Sequence, residues 1–179
     1  SLASPDPSQV IFGPAVTIGY LPYRDDWSPV PAFKDCLERA LAGAPPHSVL
    51  VLSSGGHPQT SHAGGVKLSR VLSHDVAGVV VDGRLRDFSE LRDHGLPVWC
   101  LGEAVRWGGD TVTPALSNVP VEVFGVCVSP GDFVYVDEAG GVVIPAASVT
   151  TVLEVAQEVR KDDAAVLETI VATNLERSS

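Results

Sequence analysis

Two hydrophobic periodicities divide the chain. Val10 to Ile18 reads as a strand interrupted by Gly13 and Pro14. Residues 19–31 read as a loop, rich in proline (Pro22, Pro29, Pro31), with an Arg24-Asp25-Asp26 cluster and the aromatics Tyr20, Tyr23 and Trp27. Such a segment is either a plain surface excursion or a lid or subunit contact. Phe33, Cys36, Leu37, Ala40 and Leu41 recur at helical spacing, predicting an amphipathic helix over 32–42 that Gly43 and Pro45-Pro46 end. Ser48 to Leu52 is an apolar run of buried-strand type, followed by a polar, glycine-rich loop at 53–65. Val66, Leu68, Val71 and Leu72 predict a helix over about 66–74, and Ala77 to Val81 a second buried strand. Phe88 and Leu91 place a short helix at about 87–93, closed by Gly95, before a third strand at Pro97 to Leu101.

The pattern then changes. Val119–Val128, Asp132–Val136 and Gly141–Ile144 read as strands, the first two joined by the turn SPGD at 129–132 and the last two by DEAGG at 137–141. Val149, Val152, Leu153, Ala156 and Val159 mark a C-terminal helix, with a second helix expected at about 162–175. A βαβαβ half, a β-rich segment and terminal helices make an α/β chain with a mixed sheet and a C-terminal helical arm. At 179 residues the expectation is a single domain over 1–179, with a core at about 10–147 and the arm at about 148–175.

Charge narrows the partners. A formal net charge of -10 disfavours a nucleic-acid backbone or an anionic membrane surface as a ligand, and the basic residues are scattered. No apolar run approaches the roughly 18 residues of a spanning helix. The three cysteines, Cys36, Cys100 and Cys127, lack metal-type spacing and read as buried small hydrophobes in a reduced, cytoplasmic compartment.

The densest polar signal is VVVDGRLRDFSEL at 79–91, where a buried strand runs into Asp82-Gly83, Arg84, Arg86, Asp87 and Glu90. Ligands of open α/β sheets bind beyond the carboxyl ends of strands. Asp87 and Glu90, three apart, share a helical face, and a guanidinium beside two carboxylates suits an anionic substrate held with a divalent metal. The competing reading is a surface ion-pair cluster that caps a helix. Upstream, Gly64 and Gly65 open a helix whose backbone N–H groups would face an anion.

Gly65, twenty residues, Arg86-Asp87, two residues, Glu90 resembles the motif of the RraA-like / 4-hydroxy-4-methyl-2-oxoglutarate aldolase family. The blocks FGPAVTI (12–18), GGVKLSRVLSHDVAGVVVDGRLRDFSEL (64–91), GLPVWCLG (95–102) and VFGVCVSPGDFVYVDEAGGVVIP (123–145) also look like family blocks, so the resemblance spans about residues 10–147. It implies a swivelling β/β/α domain, assembled as a homotrimer or dimer of trimers. It implies a metal-dependent (class II) aldolase or oxaloacetate decarboxylase-like lyase acting on a small 2-oxo acid. Asp87 would bind Mg²⁺ or Mn²⁺. Arg86 would clamp the substrate carboxylate and 2-keto oxygen, and the amides of Gly64, Gly65, Val66 and Lys67 would hold the carboxylate.

Two positions depart from that pattern. Family aldolases carry an acid where this chain has Gly65, and Glu90, one turn beyond Asp87, is the candidate to replace it by holding a water of the metal's shell. Position 67, apolar in the family, is Lys67. It reads as a solvated helix lysine, with a Schiff-base amine as the alternative. The five histidines form no ligand pattern, although His57 and His62 lie near the site and are candidate proton shuttles. The family also includes ribonuclease-binding inhibitors, so a non-catalytic regulator is a second reading. An enzyme redirected to another substrate in specialised metabolism is a third.

Overall fold

Alternation along two apolar runs builds the middle of the sheet. In the computed structural model, which describes residues 2–177, β2 (Ser48–Ser53) and β4 (Val76–Val81) pair in parallel, Leu50 opposite Val79 and Leu52 opposite Val81. Val49, Val51 and Val80 point to one face; Leu50, Leu52, Val79 and Val81 point to the other. Both faces are buried, which is why these strands read as unbroken apolar runs.

β1 (Ile11–Pro22) organises the rest. Its first part pairs antiparallel with β10 (Phe133–Asp137), its middle in parallel with β2, and its last part antiparallel with β7 (Val112–Ser117). Pro14 ends the pairing with β10, and the pairing with β2 starts at Ala15. A residue without an N–H is tolerated at such a change of partner. β1 thus continues through Gly13 and Pro14 and reaches Pro22, so Tyr20 belongs to a strand and is buried, against the loop expected from residue 19. The path through the mixed, curled sheet is β11 (Gly140–Ile144), β10, β1, β2, β4, β6 (Val98–Trp99), with β7 added to β1.

Helix α1 (Phe33–Leu41), the short α2 (Gly65–Leu68) and α3 (Phe88–His94) all cover one face, burying Phe33, Cys36, Leu37, Leu68 and Leu91 against the sheet. On the other face a hairpin of β8 (Val121–Val123) and β9 (Val126–Val128) packs with β10. Residues 119–128 are therefore two strands. They turn at Phe124-Gly125, both at positive φ (52° and 80°), as a tight hairpin turn requires. The helix expected over 66–74 is shorter, α2 followed by a 3-10 turn at Val71–Ser73. The two-stranded pair β3 (Ser61–Ala63) and β5 (Arg84–Leu85) joins the loops that follow β2 and β4. Cys36 and Cys100 are buried as expected, whereas Cys127 is exposed.

Backbone contacts divide the chain into two compact units, one ending at Val143 and one beginning at Ile144. The second consists mainly of one continuous helix, α4 (Val149–Arg177), in place of the two expected helices. No glycine or proline interrupts 149–177, so the charged stretch Arg160 to Asp163 does not end the helix. Among the described residues no helix is long and apolar enough to cross a membrane.

Candidate active site

The loops after β2 and β4 meet because β3 pairs with β5, Ser61 opposite Arg84 and Ala63 opposite Leu85. The Arg86 N–H donates to the Ala63 carbonyl at 3.0 Å and extends that ladder by one step. Gly64 and Gly65 consequently lie against Arg86, Asp87 and Glu90, twenty-odd residues away in sequence. A side chain at Gly64 would press on the Asp87 carboxylate and the Arg86 side chain, and one at Gly65 would occupy the place of the Glu90 carboxylate. Two glycines are needed here for close approach, not for an unusual φ.

Asp87 holds the junction. It is the residue before α3, at φ 66°, and its Oδ2 accepts the Gly65 N–H at 3.1 Å. The left-handed region is tolerated by Asp better than by most side chains. Its carboxylate is thus turned back toward α2 instead of capping its own helix. The first N–H of α3, that of Phe88, is satisfied by Glu103 Oε1 at 3.0 Å. Glu90 lies in the first turn of α3, with Oε1 3.7 Å from His94 Nε2. Asp87 stands before the helix in the left-handed region, so the two carboxylates do not share a helical face as expected; they meet instead at Gly65, one at its N–H and one at its Cα.

The cations differ in their partners. Arg84 is committed to the loops, donating from Nε to Gln59 Oε1 at 2.9 Å and from Nη1 to the Glu103 carbonyl. Arg86 is partly buried; its Nε is shielded from water and has no hydrogen-bond partner among the described residues. Lys67 is not the solvated lysine that its sequence position suggests. Its Nζ donates to the His62 carbonyl at 2.9 Å and lies 5.7 Å from the Tyr20 ring centroid and 5.6 Å from that of Phe33. Burial, and then the positive charge of Arg86, push its pKa down to about 8. Among the described residues neither Lys67 nor Arg86 has a carboxylate within ion-pair distance. Val66 is exposed. The amide N–H groups of Val66 and Lys67 fall in the first turn of α2, where no preceding helical carbonyl serves them.

His62 is a core residue, 1% exposed, edge-on to Tyr20 with ring centroids 5.0 Å apart. Its Nε2 is 3.0 Å from the Ser54 carbonyl, and burial lowers its pKa. That position suits a structural role under the site. Ser54 Oγ donates to Asp82 Oδ2 at 2.8 Å, closing a buried polar layer at the ends of β2 and β4 that the sequence did not reveal. Its members come from three separate segments, which no local pattern links. An apolar cavity of about 460 Å³ lies elsewhere, against Val51, Val80, Val123, Val128 and Val134 on the opposite face of the sheet, and contains none of these groups.

Among the described residues no three His, Cys, Asp or Glu side chains converge as a metal cage. The carboxylates of Asp87 and Glu90 therefore suit only a hard cation that keeps most of its own waters, such as Mg²⁺.

The family model described as RraA-like (Aldolase/RraA) matches residues 2–144. Protein DlpA of Legionella pneumophila is 33% identical over 135 residues, 75% of this chain and 21% of that protein. A 4-hydroxy-4-methyl-2-oxoglutarate aldolase of Thermus thermophilus is 35% identical over 105 residues, 54% of this chain and 58% of that enzyme. The chain thus spans about a fifth of DlpA and under two thirds of the aldolase. The crystal structure of Streptomyces coelicolor RraAS2, named as an unusual member of the RNase ES inhibitor RraA protein family, superposes with a TM-score of 0.76. It is 30% identical, over 89% of this chain and 77% of that one. The glycine-opened turn on α2, the Arg-Asp turn before α3 and the curled mixed sheet that joins them are thus features of a chain that belongs to the RraA-like family.

Proposed function

We propose that this chain is a divalent-metal-dependent lyase that cleaves a C–C bond of a small 2-oxo acid by retro-aldol reaction or β-decarboxylation. The observation that carries the reading is the convergence on Gly65 of two carboxylates, Asp87 and Glu90, beside Arg86, whose Nε has no hydrogen-bond partner and whose guanidinium has no ion pair among the described residues. An unpaired, half-buried cation is costly unless a ligand neutralises it. Arg86 offers a planar, two-pronged donor set that fits a carboxylate with its adjacent 2-keto oxygen. The amides of Val66 and Lys67 supply further donors to the same anion. Asp87 would hold the Mg²⁺ or Mn²⁺, which when bound would supply positive charge to a developing enolate.

In this scheme Arg86 stabilises negative charge as the bond breaks and a pyruvate enolate forms. Glu90 orients the water that returns a proton to the enolate carbon. Its carboxylate fills the space that a side chain at position 65 would take, which supports its standing in for the acid that family aldolases carry there. The protein would act in the cytoplasm as a trimer or dimer of trimers. The test is pyruvate release from oxaloacetate and from 4-hydroxy-4-methyl-2-oxoglutarate, with and without Mg²⁺. Magnesium-stimulated release from either supports the reading, and no release from both refutes it for these substrates. The likeness to RraAS2 favours ribonuclease binding as a second reading, which a pull-down against ribonuclease E tests.

A further inference from the structure

We propose that Glu103 is the positioning residue of Asp87: by capping α3 in its place, Glu103 leaves the Asp87 carboxylate free to face Gly65. The inference rests on the preceding reading only in giving that carboxylate a metal to hold. An Asp immediately before a helix ordinarily caps it, with extended backbone and a side chain that accepts an N–H of the first turn. Asp87 does neither. Its φ and ψ are 66° and 43°, it makes no side-chain cap, and its Oδ2 accepts the Gly65 N–H at 3.1 Å. The bond to Gly65 turns the carboxylate away from α3, so it cannot serve both ends of the seam. An N–H left without an acceptor at the start of α3 would draw the nearest carboxylate back to it. Glu103 Oε1 takes the Phe88 N–H at 3.0 Å and removes that competition.

Glu103 reaches α3 from a distant segment, and that segment is fixed on β5. Leu85 and Glu103 form a parallel bridge, in which the Leu85 N–H donates to the Gly102 carbonyl at 3.1 Å and the Ala104 N–H to the Leu85 carbonyl at 2.8 Å. Arg84 Nη1 donates to the Glu103 carbonyl at 3.3 Å. The backbone is thus held on both sides of Glu103, although its side chain lies at the surface. The Phe88 N–H belongs to the peptide plane that follows Asp87, and the orientation of that plane is the ψ angle of Asp87. A bond from Glu103 to this N–H therefore restrains Asp87 itself. Held at ψ 43°, Asp87 cannot swing to the extended backbone from which it would cap α3. Support runs from the 102–104 ladder through Glu103 Oε1 and the Phe88 amide to Asp87, and from Asp87 to Gly65.

Amide NMR of the intact, deuterated protein without metal reads the placement directly, at the Gly65 N–H. Asp87→Gly, which tolerates the left-handed backbone and has no carboxylate, sets the size of the effect: the Gly65 amide should shift and exchange faster. Glu103→Ala is expected to move the Gly65 amide in the same sense, with exchange about fivefold or more above wild type, the equivalent of one lost cap. The amides of β2 and β4 should keep their rates. Glu103→Gln keeps an oxygen acceptor at the same reach and should leave the Gly65 amide as in wild type. Glu103→Asp keeps the charge and shortens the reach by one methylene. It should behave as Glu103→Ala does, and it takes that variant's place if Glu103→Ala fails to fold. A Gly65 amide unmoved by the loss of reach, or moved equally in Glu103→Gln, overturns the proposal. The two readings fail separately. An unmoved Gly65 amide alongside magnesium-stimulated pyruvate release removes the positioning role and leaves the lyase. A displaced one in a protein whose wild type cleaves neither oxaloacetate nor 4-hydroxy-4-methyl-2-oxoglutarate leaves the positioning role and removes the lyase for these substrates.

Discussion

Asp87 sits at φ 66°, where Asn is tolerated nearly as well as Asp and other side chains are strained. Asp87→Asn therefore preserves the backbone, and its amide oxygen can still accept the Gly65 N–H; what is lost is the charge. The expected outcome is no measurable metal-stimulated turnover with a melting curve close to wild type, whereas Asp87→Ala should also cost about 1–2 kcal/mol of stability. Wild-type activity that survives intact in excess chelator would refute the metal role. Arg86→Lys keeps charge and loses the planar fork, so kcat/KM should fall by the equivalent of about 2–4 kcal/mol. A variant near wild-type kcat/KM removes the clamp. Lys67 gives a prediction in pH. Burial and Arg86 lower its folded pKa to about 8 from 10.5. Between those values the unfolded chain binds more protons, so its contribution to stability rises with pH across that window. The groups facing it are Arg86, the His62 carbonyl and the Tyr20 phenol, whose pKa is raised by burial beyond the window. Urea unfolding of wild type and Lys67→Met at about pH 7 and about pH 9.5 should show the difference moving in favour of wild type at the higher pH. A difference independent of pH contradicts the depressed pKa.

At the scale of elements, the site is the seam between α2 and α3, and Glu90 is its most informative residue. Its carboxylate occupies the space of a Cβ at position 65. Glu90→Gln should slow turnover strongly with little change in metal affinity, because a residue that orients a water spares the direct ligand. Adding Gly65→Asp should restore part of the rate, since the new carboxylate enters the same volume and displaces only the end of a flexible side chain. A Glu90→Gln variant indistinguishable from wild type would end this account. The seam also shows what the sequence could reveal. α1, β2 and β4 were legible because their patterns are local: helical spacing from Phe33 to Leu41, and apolar runs at 48–52 and 77–81 that the strands exceed by one residue each. β3 and β5 have three and two residues and exist only as each other's partners, so no periodicity marks them. β7 was missed because it carries Pro114 and is held as an edge strand on β1. Arg86, Asp87 and Glu90 stood out by charge. The burial of Lys67 did not, since Tyr20 and Phe33 approach from elements far away in sequence.

For the whole molecule, the apolar surface of α4 poses the problem of assembly. From Thr150 to Val171 every described side chain of this helix is exposed. Val152, Val155, Val159, Val166 and Ile170 recur at spacings of three, four and seven, and each is at least 40% exposed. Propensity can carry a helix of 29 residues, but an apolar stripe of this length in water is a liability that proteins cover with a partner. The net charge of -10 does not supply that cover, because α4 carries acids and bases together. Its sequence pattern announced two helices; the absence of any glycine or proline between them made them one. A second copy of the chain is the partner expected from the family's assembly. Light scattering at micromolar concentration should therefore return three times the mass of the chain, or six. Val159→Glu places a charge in the middle of the stripe, and its removal from water would cost several kcal/mol. It should shift the protein to smaller species while the first unit keeps its fold, as read by near-ultraviolet circular dichroism of Trp99 and Tyr20. A wild-type protein that is monomeric under these conditions would mean that α4 is covered by something other than its own kind.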